Sequence, residues 1–244
     1  MKLYYPHDQI LLHAVKSLSG SDPVTQNPDL ILFGVRAPLV VDYEMVAQRS
    51  ERPIAYGVSV DGTPRVMFGT KVVDLAHIEG EIVGVVLPCA FGPVRRHELA
   101  KLAMELNLTL AETLIDPSAI LPPRLRLGAG GFINAGVILG AGCMIGSGVL
   151  LNRSASIGHH CVLEDWVSVG PGAIISGNVR VGAYTMIGAG AILQSDIRVG
   201  TNVRIAAGSV VRKSVPDGAI VSGNPGKIVP GRPVPSTLRR KGAE

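Results

Sequence analysis

A small parallel α/β layer followed by a coil of short parallel strands is the architecture this sequence predicts. Three observations carry the prediction. Strand-like and helix-like segments alternate through the first half. From Leu121 to Val211 an aliphatic residue returns every six positions, sixteen times without a miss. The composition sets 30 glycines and 4% aromatics against an apolar share of 47%, which suits a core of small and β-branched side chains stacked in a regular way.

The elements follow in order. Residues 1–28 read as an N-terminal extension with a short helical pattern from Asp8 to Leu18. DLILFG (29–34) reads as a buried strand ending in Gly34. Pro38 opens a helical pattern that places Val41, Met45 and Val46 on one side and runs to about Arg49, since proline is well placed in a first helical turn. Ile54–Val60 and Glu81–Leu87 read as strands, Val94–Asn107 as a helix, and Thr109–Ile115 as the lead into the coil. Strands alternating with helices imply a parallel sheet over 29–115, and ligands of such sheets sit at the carboxyl ends of the strands.

The repeat fits neither the helical period of 3.6 nor the strand period of 2. It fits short strands joined by corners, three flat faces making a triangular coil of 18 residues with one large side chain inward per face. Four residues after each aliphatic comes a second inward position, usually small: Val137, Cys143, Ala155, Cys161, Ala173, Thr185, Ala191 and Val203. Cys143 and Cys161 should then stack one above the other, ~4.8 Å apart. Glycine often follows the aliphatic residue directly, as at Gly128, Gly140, Gly158 and Gly170, and is expected there to supply unusual corner angles. The repeat spans 119–214, about five coils, in a coil domain of 116–214 with a tail of 215–244. A solenoid needs its open ends covered. The first domain is expected over the N-terminal end and the Pro- and Gly-rich tail over the other.

Composition excludes several classes. A formal charge of +4, from 23 Lys+Arg against 19 Asp+Glu, with 17% charged residues overall, is not that of a disordered chain. The longest apolar run, Ile82–Val94, is broken by Pro88 and Pro93 and falls short of the ~20 residues a spanning helix needs, so no membrane insertion is expected. The start MKLYYPHDQI lacks an apolar core, so no secretory leader is read there. Three cysteines make no disulfide framework, and a cytoplasmic setting is expected. No GxGxxG or Walker loop occurs. The basic cluster Arg232, Arg239, Arg240 and Lys241 lacks interleaved aromatics, so no nucleic-acid partner is expected.

The uninterrupted repeat resembles that of the hexapeptide-repeat acyltransferases. A small α/β domain, the phrase TLIDPSAIL (113–121) and then the coils look like one branch, which includes sialic acid O-acetyltransferases and the N-acetyltransferases of bacillosamine and perosamine. The resemblance covers about 30–229. It implies a left-handed parallel β-helix, a homotrimer with sites between neighbouring chains, acetyl-CoA as donor, and a sugar, generally nucleotide-linked, as acceptor. General crossover chirality favours the opposite hand, so the handedness comes from the resemblance.

The resemblance also assigns residues. In NRSASIGHHCVLED (152–165), His159 matches the general base, a task that suits imidazole near neutral pH. The alternative is a solvated corner histidine. His160 stands where the branch has a carboxylate, and Glu164 or Asp165 is left to supply one. Asn152 matches an asparagine that recurs ahead of the base; it reads equally as an inward side chain bonding the corner backbone. Ser168 and Asp116 stand where the branch often has further histidines. Gly34 and Arg36 occupy the place of its nucleotide loop, where Arg36 is expected to pair with a phosphate or to be a surface arginine. GNPGK (223–227) resembles the branch's Gly-x-Pro-Ala-Lys tail, which implies donor binding by Pro225 and Lys227. Backbone N–H groups near Gly170, Gly188, Ala189 and Ala206 are expected along the pantetheine arm, polarising the thioester carbonyl. The related γ-type carbonic anhydrases need three separated histidine ligands; this chain has two adjacent ones in the coils, His159 and His160, so no metal is expected. The changes at His160, Ser168 and Asp116 motivate a second reading, a trimeric binding or scaffold protein. The altered loop at Gly34 motivates a third, an acyltransferase for a non-nucleotide acceptor.

Overall fold

A computed structural model describes residues 29–77 and 84–230. The extension 1–28 with its expected helix, the start of the Glu81–Leu87 strand and the basic tail cluster lie outside the described residues.

The first part is a five-stranded sheet of β1 (Leu30–Phe33), β2 (Ile54–Ser59), β3 (Val72–Asp74), β4 (Val85–Pro88) and β5 (Thr109–Leu110). The order is β3-β2-β1-β4-β5 and every pairing is parallel. α1 (Val40–Arg49) follows β1, and α2 (Pro93–Glu105) follows β4 with proline in its first turn. The short strand β3 escaped the sequence reading, because VVD is too brief to show alternation. Two apolar layers flank the sheet. On one side Tyr43 and Val46 of α1 pack with Leu30 and Leu32; on the other Leu99 and Ala103 of α2 pack with Ile31 and Phe33.

The second part is a left-handed parallel β-helix with three flat faces. The covered face runs through Leu114–Ile115, Phe132–Ile133, Leu150–Leu151, Ser168–Val169, Met186–Ile187, Arg204–Ile205 and Ile220–Ser222. The aliphatic face holds Ile138–Leu139, Ser156–Ile157, Ile174–Ile175, Ile192–Leu193 and Val210–Val211. The arginine face holds Arg126–Leu127, Met144–Ile145, Val162–Leu163, Arg180–Val181 and Arg198–Val199. Neighbouring strands pair 18 residues apart, Met144 with Val162 for example, which stacks Cys143 under Cys161. From Ile133 to Val211 every sixth residue is buried, as are the small inward positions expected between them.

Two expectations change. Left-handed backbone falls three residues after each inward aliphatic, at Gly130, Gly142, Ser154, His160, Trp166 and Asn178, not one residue after. The glycine directly after the aliphatic serves a different need: a Cβ on Gly140 would stand 2.5 Å from the His159 nitrogen of the next coil. Close approach of stacked backbone, not unusual φ, excludes a side chain there. Second, the α/β layer lies along the covered face and not across the N-terminal end. The Tyr43 ring stacks on Phe132 at 3.9 Å, and Phe132 and Leu150 join the α1-side core. Burial pushes the Tyr43 hydroxyl's pKa up. At the other end the tail does continue the coil: Val215 bridges to Val199, and Lys227–Val229 folds back antiparallel on Ile220–Ser222.

Candidate functional site

His159 sits at the corner between the aliphatic and arginine faces, after Ile157 and before Val162. Its ring lies against Gly177, one coil further, where an added Cβ would stand 2.7 Å from Nε2. His160 takes the left-handed corner position, φ 57°, and its ring lies over Gly142, where a Cβ would stand 2.8 Å from Cδ2. Both imidazoles are exposed. Their Nδ1 atoms are 3.0 Å apart, with the ring planes at 79°. Beneath them, Cys143 Sγ donates to Gly158 O at 3.1 Å and Cys161 Sγ to Ser176 O at 3.1 Å. The neighbouring Cys161 thiol lowers the Cys143 pKa, while the Cys161 pKa rises.

The carboxylates expected to support His159 are engaged at the next corner. Glu164 accepts from Arg180 Nε at 2.9 Å and from Ala183 N at 3.1 Å. Asp165 accepts Ser147 N at 2.7 Å.

The corner between the covered and aliphatic faces is also spent on structure. Asn152 Oδ1 accepts Arg153 N at 2.8 Å and Asn134 Nδ2 at 3.0 Å. Asn134 Nδ2 also reaches Asp42 on α1 at 3.0 Å, and Arg153 pairs with the same carboxylate at 3.1 Å. Asn152 therefore bonds the corner backbone, the second of its two sequence readings. Asp116 begins the same column: it is fully buried, and its Oδ1 accepts Ser118 N at 2.8 Å and Arg49 Nη2 at 3.2 Å.

Ser168, at one of the positions where the branch often has a histidine, is a junction residue facing the α/β layer. It is fully buried, donates to Phe91 O at 2.7 Å and accepts Arg96 Nη2 at 3.0 Å. Arg96 was missed. Its guanidinium, also fully buried, donates to Gly148 O, Ala90 O, Phe91 O, Trp166 O and Val167 O. No carboxylate neutralises it among the described residues, and burial lowers its pKa to about 10. The signal was in the spacing: Arg96, Leu99, Ala100 and Ala103 share the buried stripe of α2.

The expected nucleotide loop is closed to one kind of contact. The N–H groups of both Gly34 and Val35 go to Val58 O, at 2.9 and 3.3 Å. Gly34, at φ 85°, has Leu99 Cδ1 2.5 Å from where a Cβ would be, so the glycine makes room for α2. Arg36 is exposed at the carboxyl end of β1, 3.6 Å from Asp61, which also holds Arg95 at 2.8 Å.

Along the coil, the N–H groups of Gly170, Gly188 and Ala206 donate to Ile187 O, Ile205 O and Val221 O. They are ladder bonds, so these three N–H groups are already taken within the coil. Ala189 differs: its N–H makes no hydrogen bond among the described residues. Pro225 and Lys227 are exposed in the terminal hairpin.

These features define a class, a hexapeptide-repeat β-helix carrying an α/β layer, and the comparisons agree. Residues 178–213 match the bacterial transferase hexapeptide (six repeats) model. Perosamine N-acetyltransferase from Caulobacter crescentus, a variant solved with CoA and GDP-perosamine, is similar at 26% identity and a TM-score of 0.75, covering 83% of this chain and 97% of that one. The acetyltransferase domain of PglB from Neisseria gonorrhoeae, with acetyl coenzyme A, is similar at 28% identity and a TM-score of 0.74, covering 83% and 100%. WeeI from Acinetobacter baumannii shares the fold at 22% identity and a TM-score of 0.72, covering 82% and 99%. No curated protein matches by sequence. The resemblance to the nucleotide-sugar branch of hexapeptide acyltransferases is thereby borne out. No helix among the described residues is long and apolar enough to cross a membrane.

Proposed function

We propose that this protein transfers an acetyl group from acetyl-CoA to an amine or hydroxyl of a nucleotide-linked sugar, with His159 as general base. One observation carries the reading: His159 is an exposed imidazole on a coil whose fold is that of acetyltransferases solved with CoA or acetyl-CoA. Its Nε2 would take the proton as the acceptor attacks the thioester carbonyl, and the thiol of CoA would leave. The uncommitted N–H of Ala189 is the best placed of the expected backbone donors to meet the acyl-donor arm. Lys227 would face a donor phosphate as a mobile charge, with Pro225 in the same hairpin. No metal takes part in this reading.

Arg36, exposed at the carboxyl end of β1, is the residue kept for an acceptor phosphate. Exposed Ile120, Ile138, Ile174 and Ile192 form a column on the aliphatic face, which supports a homotrimer with His159 at the edge of the contact and the cleft between chains. The domain limits 29–115 and 116–214 belong to the same reading, as does a cytoplasmic setting, which fits the free thiols Cys89, Cys143 and Cys161.

A non-nucleotide acceptor is the second reading, favoured by the closed Gly34–Val35 amides. Thiol release from acetyl-CoA, measured with GDP-, UDP- and dTDP-linked amino sugars and with free amino sugars, tests both. Turnover of a nucleotide-linked acceptor with a product heavier by one acetyl group is expected. Turnover of the free sugars alone would favour the second reading, and no turnover of either would overturn the enzyme assignment in favour of a binding protein.

A further inference from the structure

The contact between His159 and His160 constrains the proposed chemistry further, and this inference rests on His159 being the base. At 3.0 Å between Nδ1 atoms, one nitrogen must carry the hydrogen and the other must offer its lone pair. Two hydrogens would collide, and two lone pairs would repel. The shared hydrogen has two possible owners, and only one is compatible with catalysis. If His160 donates, the neutral His159 carries its own proton on Nε2 and cannot accept another there. If His159 donates, its Nε2 is bare.

The surroundings leave His160 as the partner. Among the described residues neither imidazole makes an ion pair. The coil below offers Gly140, Ala141 and Gly142, and the coil above Ser176, Gly177 and Asn178. The titratable groups on these packed segments are turned elsewhere: the thiols of Cys143 and Cys161 toward Gly158 O and Ser176 O, Asp196 toward Asn178 Nδ2 at 3.0 Å. Glu164 and Asp165 are engaged at the next corner. The left-handed backbone at His160 is a conformation for which Asn, Asp and His are enriched.

We propose that His160 is the positioning residue of the base: its Nδ1 accepts the Nδ1–H of His159, fixing the tautomer whose Nε2 is bare, with a neutral ring in place of a carboxylate. During transfer, the acceptor's nitrogen or oxygen bonds to the acetyl carbon and its proton passes to His159 Nε2. The carbon–sulfur bond then breaks, and the same proton goes to the departing thiolate. The imidazolium formed meanwhile on His159 is hydrogen-bonded to a neutral His160 ring and not cancelled by an anion.

Two-bond nitrogen–proton NMR correlation of the full chain, labelled at histidine, tests this without substrate. His159 is expected as the Nδ1–H tautomer and His160 as Nε2–H; the reverse, or Nε2–H on both rings, overturns the proposal. Kinetics supply a second arm. His160→Leu is expected to lower kcat ~10–100-fold, taking as a guide the range for partners that orient metal-ligating imidazoles, with KM little changed and a melting temperature no lower than that of His160→Ala, which carries the same left-handed backbone cost. His160→Asp, which suits the left-handed backbone, is expected to recover most of that loss and to move the acid limb of kcat/KM to higher pH, because an anion stabilises the imidazolium. A His160→Leu enzyme with wild-type kcat and acid limb would sink the dyad while leaving the base intact. Full turnover by His159→Ala would instead remove the base itself.

Discussion

Two corners of the same coil use the same repeat for opposite ends. Where the chain turns onto the covered face, Arg96 and Ser168 are fully buried and their polar groups donate to five backbone carbonyls, Phe91 O taking a bond from each. At the corner leading onto the arginine face, His159 and His160 are exposed and their rings bond only each other among the described residues. The repeat fixes where a side chain leaves the coil. Whether that side chain serves structure or chemistry depends on what covers it. A polar group with every partner inside the protein has nothing left to offer a substrate.

The sharpest way to break this comparison is at the buried corner. Arg96→Met removes the cation and the five hydrogen bonds it donates to backbone carbonyls, of which Phe91 O and Val167 O keep a second donor; this should cost ~3–5 kcal/mol of stability, and denaturant unfolding measures it. A loss under about 1 kcal/mol would mean that the junction is not held by this residue. Gly177→Ala tests the exposed corner. Its Cβ would meet the His159 ring, so turnover should fall several-fold while the melting temperature stays close to wild type. Ser168→Ala should do the reverse, costing about 1–2 kcal/mol of stability and leaving KM for both substrates unchanged; a raised acceptor KM would restore Ser168 to the binding site.

The smallest effect concerns pH. His97 packs against Trp166 and Tyr184 at 4.9 and 5.4 Å, and burial, then Lys101, lowers its pKa. The unfolded chain therefore binds this proton more readily, so stability is complete above the ordinary histidine range and declines as pH falls through it. Melting temperature measured from pH 8 to pH 5 should fall less in His97→Gln than in wild type.

The sequence made the coil legible because its signal is periodic and local: one inward aliphatic per six residues survives without knowledge of any neighbour. The site was harder because its meaning lies between coils. Asn152 and His159 stand at corners and Ser168 opens a strand of the covered face, and only the folded arrangement shows that Asn134 of the coil below caps the first, Gly177 of the coil above leaves the second open and Arg96 of α2 buries the third. Arg96 was passed over because arginine is mostly a surface residue, although its place on the α2 stripe marked it as inward. The glycines stand at the expected positions for a different reason, since φ and clearance between successive coils of one chain cannot be told apart along a linear sequence. Gly34 has a packing reason that the sequence hides for the same cause: Leu99, which needs its space, is 65 residues away.

The most direct test of the account is the turnover of His159→Ala beside its folding. With an accepted amino-sugar substrate, kcat should fall ~10²–10⁴-fold, the usual contribution of a general base, while the unfolding midpoint stays at the wild-type value because the side chain is exposed. Wild-type kcat in the substituted enzyme would contradict the account, and so would a loss of activity that merely tracks a loss of fold.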